Sequence, residues 1–215
     1  MAISYSELVA TKSTLNSIKG WINWDLAPAT DILSDSEAFI YSSLRIREMK
    51  RIATGSILAG STFLAMPPDF IAPRSFKRIG DSAGKIDILD DKMFEDTLPL
   101  DQNGAYPKAT PTKCTIYDDP PFAYFDAEAD KDYPYRLVYW RRPEALAMTN
   151  ETNFLCARYP MLLRSTCLGY ANLYMKQPDV AEQWLTVAGG MITQANSDYD
   201  LGEQANRVEN YWESN

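Results

Sequence analysis

Three groups of residues have the types and spacing from which chemistry is made. Adjacent carboxylates stand at Asp90-Asp91, Glu95-Asp96 and Asp118-Asp119. Two carboxylates can hydrolyse a glycosidic bond when they oppose each other across a cleft. Neighbours within one acidic loop more simply hydrate. The run Asp126-Ala127-Glu128-Ala129-Asp130-Lys131-Asp132 has the alternation of a calcium loop. It places lysine, not glycine, at loop position 6, and Leu137 where position 12 needs a bidentate glutamate, so it reads as a solvated acidic turn. The third group is Cys114, Cys156 and Cys167, odd in number and without a CxxC pair. Cys156 and Cys167 lie among apolar residues, which predicts buried reduced thiols and a protein made in a reducing cytoplasm.

The 215 residues contain no histidine, so the commonest general base, the usual partner of a Ser or Cys nucleophile and a major metal ligand are all missing. No GxGxxG, GxxxxGK[ST] or HExxH motif occurs. A non-enzymatic protein without cofactor or metal is therefore expected. The N-terminus has no basic region followed by an apolar run, and no apolar stretch is long enough to cross a bilayer, so neither a secretory signal nor a membrane partner is expected. The net charge of −8 is unevenly placed. Residues 81–132 hold 13 acidic and 5 basic residues, while the rest of the chain holds 16 of each sign. No basic groove for nucleic acid is evident.

The elements that would position these groups fall into three stretches. Ser4-Tyr5-Ser6-Glu7 is a capping box, and Leu8, Thr11, Leu15, Ile18 and Ile22 follow at helical spacing, with Gly20 and the Pro28 region as the stop. Ser34-Asp35-Ser36-Glu37 reads as a second capping box, opening a helix that buries Ile40, Leu44 and Met49 and ends in Arg45, Arg47, Lys50 and Arg51. From Ile52 the pattern turns to strands. Residues 56–59 and 62–66 suggest a hairpin about Gly60-Ser61, stopped by Pro67-Pro68-Asp69-Phe70. Further strands are expected near Arg74–Ile79, Lys85–Leu89, Cys114–Tyr117 and Phe122–Phe125. The clearest is Tyr135–Trp140, where Tyr139 and Trp140 must face opposite ways. Thr152 or Asn153 then caps a helical segment, and Pro160 fits a first turn. Leu163, Cys167, Tyr170 and Tyr174 form one stripe, and Val180 to Ala195 form another beyond the break at Gln177-Pro178-Asp179, so the two helices make an antiparallel hairpin. Gly189-Gly190 reads as a point of close helix approach, and Trp21 and Trp24 as core or subunit contacts. Periodicity is lost after Ala195.

The fold class is therefore α+β. The expected organisation is N-terminal helices over 1–51, a β-rich insertion over 52–150, a helical hairpin over 151–196 and an extended C-terminal tail over 197–215. The N- and C-terminal helices would pack as an antiparallel bundle.

The order of these signals resembles the head-to-tail adaptor (connector) proteins of tailed bacteriophages, especially the short-tailed type. The resemblance is carried by Tyr5-Ser6-Glu7-Leu8, the basic end of the second helix, Leu64-Ala65-Met66-Pro67-Pro68-Asp69-Phe70, the strand Tyr135–Trp140 closed by Arg142-Pro143, and Asn153-Phe154-Leu155-Cys156-Ala157-Arg158-Tyr159-Pro160 before the hairpin. It covers nearly the whole chain in layout, except residues 81–132.

The resemblance implies a structural virion protein in the neck, assembled in the bacterial cytoplasm. It implies a ring of twelve subunits with a body of bundled helices, a C-terminal segment that docks on the portal protein, a face that receives tail nozzle or tail-fibre proteins, and a channel that passes genomic DNA without reading its sequence. Tyr199, Arg207, Tyr211 and Trp212 are then the expected contacts to the portal or a neighbouring subunit. Two rival readings follow from the residues: a β-rich module that binds carbohydrate or tail-fibre protein, and a carboxylate-dependent hydrolase.

Overall fold

The computed structural model of the chain describes residues 3–11, 14–80, 83–100, 104–118 and 120–213, without the side chains of 118 and 203–213. It divides into two units. One comprises the N-terminal residues to Glu48 with the chain from Pro143 onward, and the other is Met49–Arg142.

The first unit is helical: α1 (Tyr5–Leu8), α2 (Ile18–Ile22), α3 (Ala29–Ser43), α5 (Phe154–Arg158), α6 (Pro160–Tyr174) and α7 (Pro178–Glu213). Ser4 and Glu7 form the predicted capping box of α1. The expected continuous helix through Ile22 does not form. The run Thr11–Ser17 is rich in hydroxyl side chains, which compete with the helix for backbone partners. Ser17 Oγ accepts from the Gly20 amide at 3.0 Å and the Thr14 amide at 2.8 Å, starting α2 afresh, and Leu15 is left 92% exposed. Gly20 lies inside α2 rather than ending it.

The second capping box is likewise absent. Helix α3 begins at Ala29 behind Pro28, so the amides near Ser34–Glu37 are already taken within the helix. Ser36 donates back to the Ile32 carbonyl, and Glu37 points into the unit. The predicted inward residues Ile40, Leu44 and Met49 are all buried.

Helix α6 packs against α2, α3, α5 and α7. Asn153 caps α5, and Pro160 takes the first turn of α6, as expected. The turn at Met175–Gln177 puts Lys176 at φ 59 and returns the chain antiparallel along α6. The close approach of these two helices is at Gly169, not at Gly189-Gly190. A β-carbon on Gly169 would lie 2.7 Å from Leu185, whereas Gly189 and Gly190 face open space. Gly169→Val should therefore wedge α6 from α7 and cost about 1–3 kcal/mol in urea unfolding, the usual range for overpacking. Gly189→Ala should instead be neutral or mildly stabilising by helix propensity.

Helix α7 also overturns the expected extended tail. It continues unbroken to Glu213, 36 residues in all. Residues 214–215 lie outside the described residues.

The second unit is β-rich, with one helix among its described residues, α4 (Asp91–Thr97). Its strands are β1 (Lys50–Ile57), β2 (Phe63–Ala65), β3 (Phe70–Arg78), β4 (Gly84–Ile88), β5 (Lys108–Ala109), β6 (Lys113–Asp118), β7 (Pro121–Phe125), β8 (Glu128–Ala129) and β9 (Tyr133–Arg141). Seven of them form one sheet in the order β1-β9-β3-β4-β6-β7-β2, while β5 and β8 pair separately.

The expected hairpin between residues 56–59 and 62–66 is not made. β1 pairs with β9 and β2 with β7, so consecutive strands occupy opposite edges of the sheet. A flat seven-stranded sheet would hold its edges roughly 29 Å apart. Residues 58–62 bridge at most about 20 Å. The sheet must therefore curl until it is nearly closed, and the side chains on its concave face become the core: Ile57, Phe76, Ile86, Cys114, Phe125, Tyr133, Leu137 and Tyr139 among them. A bulge in β3 accompanies Pro73, which has no amide to give the ladder. β4 and β6 are parallel, which requires a crossover, and residues 89–112 supply it. Much of the acidic segment is that crossover.

Candidate functional site: acidic groups, thiols and exposed surfaces

The groups that could have done chemistry are mostly consumed by structure. Asp90 caps α4, accepting from the Met93 amide at 3.0 Å, and Asp91 accepts from Thr115 Oγ1 at 2.7 Å. In the calcium-like run, Asp126 accepts from the Thr112 amide and hydroxyl, Asp130 from the Tyr133 hydroxyl, and Asp132 from the Ala59 amide. Each carboxylate faces a different partner, so the run acts as a set of loop ties. The side chain of Asp118 and all of Asp119 lie outside the described residues.

The three cysteines are buried and unpaired with one another. Burial pushes the Cys114 thiol up to about 12, helped by the charges of Asp126 and Asp87. Burial alone accounts for most of a similar rise to about 12 at Cys167. Thiols so placed stay protonated and are poor nucleophiles.

One buried carboxylate is distinctive. Glu37 on α3 accepts from the Leu146 amide with both oxygens (3.2 and 3.1 Å), from Tyr41 Oη at 3.0 Å and from Asn153 Nδ2 at 3.1 Å. It clasps the loop before α5 to α3. Burial raises its pKa, opposed by these hydrogen bonds. No second carboxylate joins it in these bonds, so the hub is structural.

Two surfaces that carry aromatic side chains stand out among the described residues. In the helical unit a groove of about 520 Å³ lies between α2, α6 and the start of α7. Its walls mix Trp21, Met161, Leu168 and Trp184 with the polar Ser165, Asn172 and Gln177, and among the described residues Arg164 is the one charged group lining it. The Arg164 guanidinium sits 5.0 Å from the Trp21 ring, whose Nε1 donates to the Leu15 carbonyl. In the β-rich unit Phe63, Tyr117, Phe122 and Tyr124 form a contiguous cluster with ring centroids 5.3–6.5 Å apart; Phe63 is 51% exposed. Neighbouring strands bring these four together, and the sequence order gives no hint of it.

The residues expected to dock are on the distal half of α7. Tyr199 is half-buried. Arg207, Tyr211 and Trp212 lie on the helix, but their side chains are outside those described. Arg207 and Tyr211 are one turn apart, while Trp212 is rotated by about 100° from Tyr211. The four therefore do not share a face. A stripe that the residue order does contain was missed: Leu201, Ala205, Val208 and Trp212 recur at steps of four, three and four. It becomes visible once the segment is known to be helical.

The sequence model of one family, SU10 adaptor protein, matches residues 3–209. The chain belongs to that family. No curated protein matches it. The adaptor is thus a phage structural protein, from a family of structural adaptors rather than of enzymes, whose membership implies portal and tail components as partners and the virion neck as its place. Among its described residues no helix is long and apolar enough to cross a membrane.

The motifs that carried the resemblance have structural duties in the adaptor. Asp69 of the Pro-Pro-Asp-Phe stop accepts from Tyr139 Oη at 2.8 Å and pairs with Arg51 at 3.0 Å, while its carbonyl accepts from the Arg142 amide. It ties β1, β3 and β9 at one end. Tyr139 is buried and Trp140 is partly exposed beneath Arg74, the opposed facing predicted for that pair.

Proposed function

We propose that the adaptor is one subunit of a twelve-membered ring that joins the portal of a tailed phage to its tail and lets genomic DNA pass. The family match across residues 3–209 carries this reading. In it the helical unit forms a bundled ring body, and the β-rich unit receives tail nozzle or tail-fibre proteins. Tyr199, Arg207, Tyr211 and Trp212 on distal α7 face the portal or a neighbouring subunit. The ring assembles in the bacterial cytoplasm before it is built into the neck.

Charge is consistent with a conduit. Each phosphate that a protein neutralises adds affinity through counterion release, so a channel wall should not be basic. Residues 81–132 carry a balance of −8. Turned to the lumen they repel the duplex; turned outward they are a solubility or docking surface.

Electron cryo-microscopy of the particle neck, with symmetry assigned independently at the portal and below it, tests the proposal. Twelve copies of this chain under the portal are expected. A neck without this chain, or with it only at the tail tip, would refute the reading.

A second reading, a β-rich module for carbohydrate or tail-fibre protein, has one observation in its favour: the exposed aromatic cluster at Phe63, Tyr117, Phe122 and Tyr124. Aromatic faces of this kind are common in contact surfaces. The same neck image separates the two readings, since a stand-alone module forms no ring.

A further inference from the structure

The outer face of the curled sheet carries a charged row that only strand pairing creates. Lys77 on β3 stands directly opposite Lys85 on β4 and Arg136 on β9. The three cations lie side by side on adjacent strands, across roughly 10 Å. All three are exposed. Among the described residues Lys85 pairs with Asp87 at 2.7 Å, and no carboxylate pairs with Lys77 or Arg136. Like charges set directly opposite one another destabilise a sheet, so the row gains from an anionic partner. Beside it on the same face, Ile52 of β1 stands opposite Val138 and is 48% exposed.

The far side of the same sheet has the complementary chemistry. The exposed aromatic cluster Phe63, Tyr117, Phe122 and Tyr124 lies there on β2, β6 and β7. Helix α4 packs on β6 next to it, where Asp91 accepts from Thr115 Oγ1. It carries three carboxylates, Asp91, Glu95 and Asp96, against one cation, Lys92. Desolvation, and after it the charges of Asp91 and Glu95, hold the Tyr117 hydroxyl above its ordinary value, so both carboxylates stand near that ring. β9 and β7 are separated by three strands on one side and by β1 and β2 on the other. In a nearly closed sheet the two faces look in opposite directions, and one copy cannot bring its own together.

We propose that the Lys77, Lys85 and Arg136 row of one copy docks on the Tyr117 aromatic cluster and the Asp91 and Glu95 carboxylates of a second copy. A cation there gains from an aromatic face and from a carboxylate at once, and Ile52 adds apolar area. Donor and receiver are different faces of every copy. The contact is therefore head-to-tail, and repeated rotation closes it into a ring. This inference rests on the ring reading above and adds a contact between neighbouring β-rich units.

Two full-length double variants test it by exchanging charge. Lys77→Glu with Arg136→Glu turns the basic row acidic at two exposed positions. Asp91→Asn with Glu95→Lys turns the acidic face basic, and asparagine keeps an oxygen for the Thr115 hydroxyl. Thermal melts of both should match the unmodified chain. Sedimentation velocity is then run up to about 1 mM, to reach even weak contacts. It is run at about 50 mM and about 500 mM salt, because screening weakens a contact between exposed charges. Binding of a duplex DNA oligonucleotide is measured alongside, since a basic row could take phosphates instead.

At low salt the unmodified chain should form oligomers larger than dimers, and high salt should weaken them. Each variant alone should self-associate at least about tenfold more weakly, because like charges now meet. An equimolar mixture of the two should recover the large oligomers, since every junction again joins opposite charges. An unmodified chain that stays monomeric at low salt, variants that assemble as the parent does, or a mixture no better than its components would each overturn the contact. So would duplex DNA that binds the unmodified chain and not the Lys77→Glu, Arg136→Glu variant, in the absence of self-association; the row would then be a phosphate contact. The ring reading is judged separately by the neck image, so a ring seen there alongside a failed mixture would discard this contact alone.

Discussion

Replacing Glu37 by leucine should destabilise the helical unit by about 2–4 kcal/mol, a large effect for a single substitution. The substitution strands the Leu146 amide and takes one acceptor each from Tyr41 Oη and Asn153 Nδ2, although Asn153 Nδ2 still donates to Tyr41 Oη at 3.0 Å. A buried donor left without a partner costs about 1–3 kcal/mol. Glu37→Gln keeps one carbonyl acceptor and should lose less, about 1–2 kcal/mol. Urea unfolding read by far-UV circular dichroism measures both. A loss below about 1 kcal/mol for Glu37→Leu would show that the loop finds other partners.

The pH dependence has a definite sign. The carboxyl of Glu37 titrates above its ordinary value in the folded protein because it is buried. Between the ordinary and the raised value the folded state binds more protons than the unfolded one. The contribution of Glu37 to stability is therefore full below the ordinary carboxylate value and is lost as pH rises through the raised one. In Glu37→Gln that slope should vanish while the slopes of the other carboxylates remain.

Truncation after Asn196 should leave a folded chain that no longer co-purifies with the portal protein. Folding should survive because Ala181, Ala188, Ile192 and Ala195, the buried residues among the described side chains of α7, are all retained, and so is Asn196 itself. The melting temperature should move by less than about 4 °C, the shift that about 1 kcal/mol produces in a domain of this size. Helical ellipticity should fall by the contribution of residues 197–213. Portal binding should drop to background, because a partner contact depends on a few buried aromatic and arginine residues, and Tyr199, Arg207, Tyr211 and Trp212 would all be gone. Portal capture undiminished by the truncation would remove distal α7 from the portal contact. A truncated chain that fails to melt cooperatively would show instead that the distal helix belongs to the fold.

Much of the secondary structure was legible from residue order alone. The strand at Tyr135–Trp140, the strands around residues 85, 115 and 123, the cap at Asn153, the first-turn Pro160 and the break at Pro178 all stand where local patterning puts them. These signals are local: alternation, capping chemistry and the missing proline amide act within a few residues. The misread elements failed for a shared reason. Ser34–Glu37 has the composition of a helix start, but composition does not say whether its amides are still free. Gly189-Gly190 has the composition of a helix crossing, but the contact depends on which glycine meets the other helix, and that is Gly169.

The sequence by itself determined the class of this protein. Its lack of histidine and of complete catalytic motifs pointed away from an enzyme, the resemblance in its order of elements pointed to a phage adaptor, and the family match over residues 3–209 agrees. Only the tertiary structure decided which surfaces that adaptor presents. Pairing of β1 with β9 and of β2 with β7 curls the sheet and gathers Phe63, Tyr117, Phe122 and Tyr124 on one outer patch, and within the helical unit the chain before α5 folds onto α3 and makes Glu37 a buried hub. Continuation of α7 past Asn196 turns an expected extended tail into a helix, on which Leu201, Ala205, Val208 and Trp212 fall at helical spacing. The aromatic patch and the Glu37 hub join residues far apart in the chain, which no local pattern encodes, whereas the stripe is present in the residue order and becomes legible only once the segment is known to be helical.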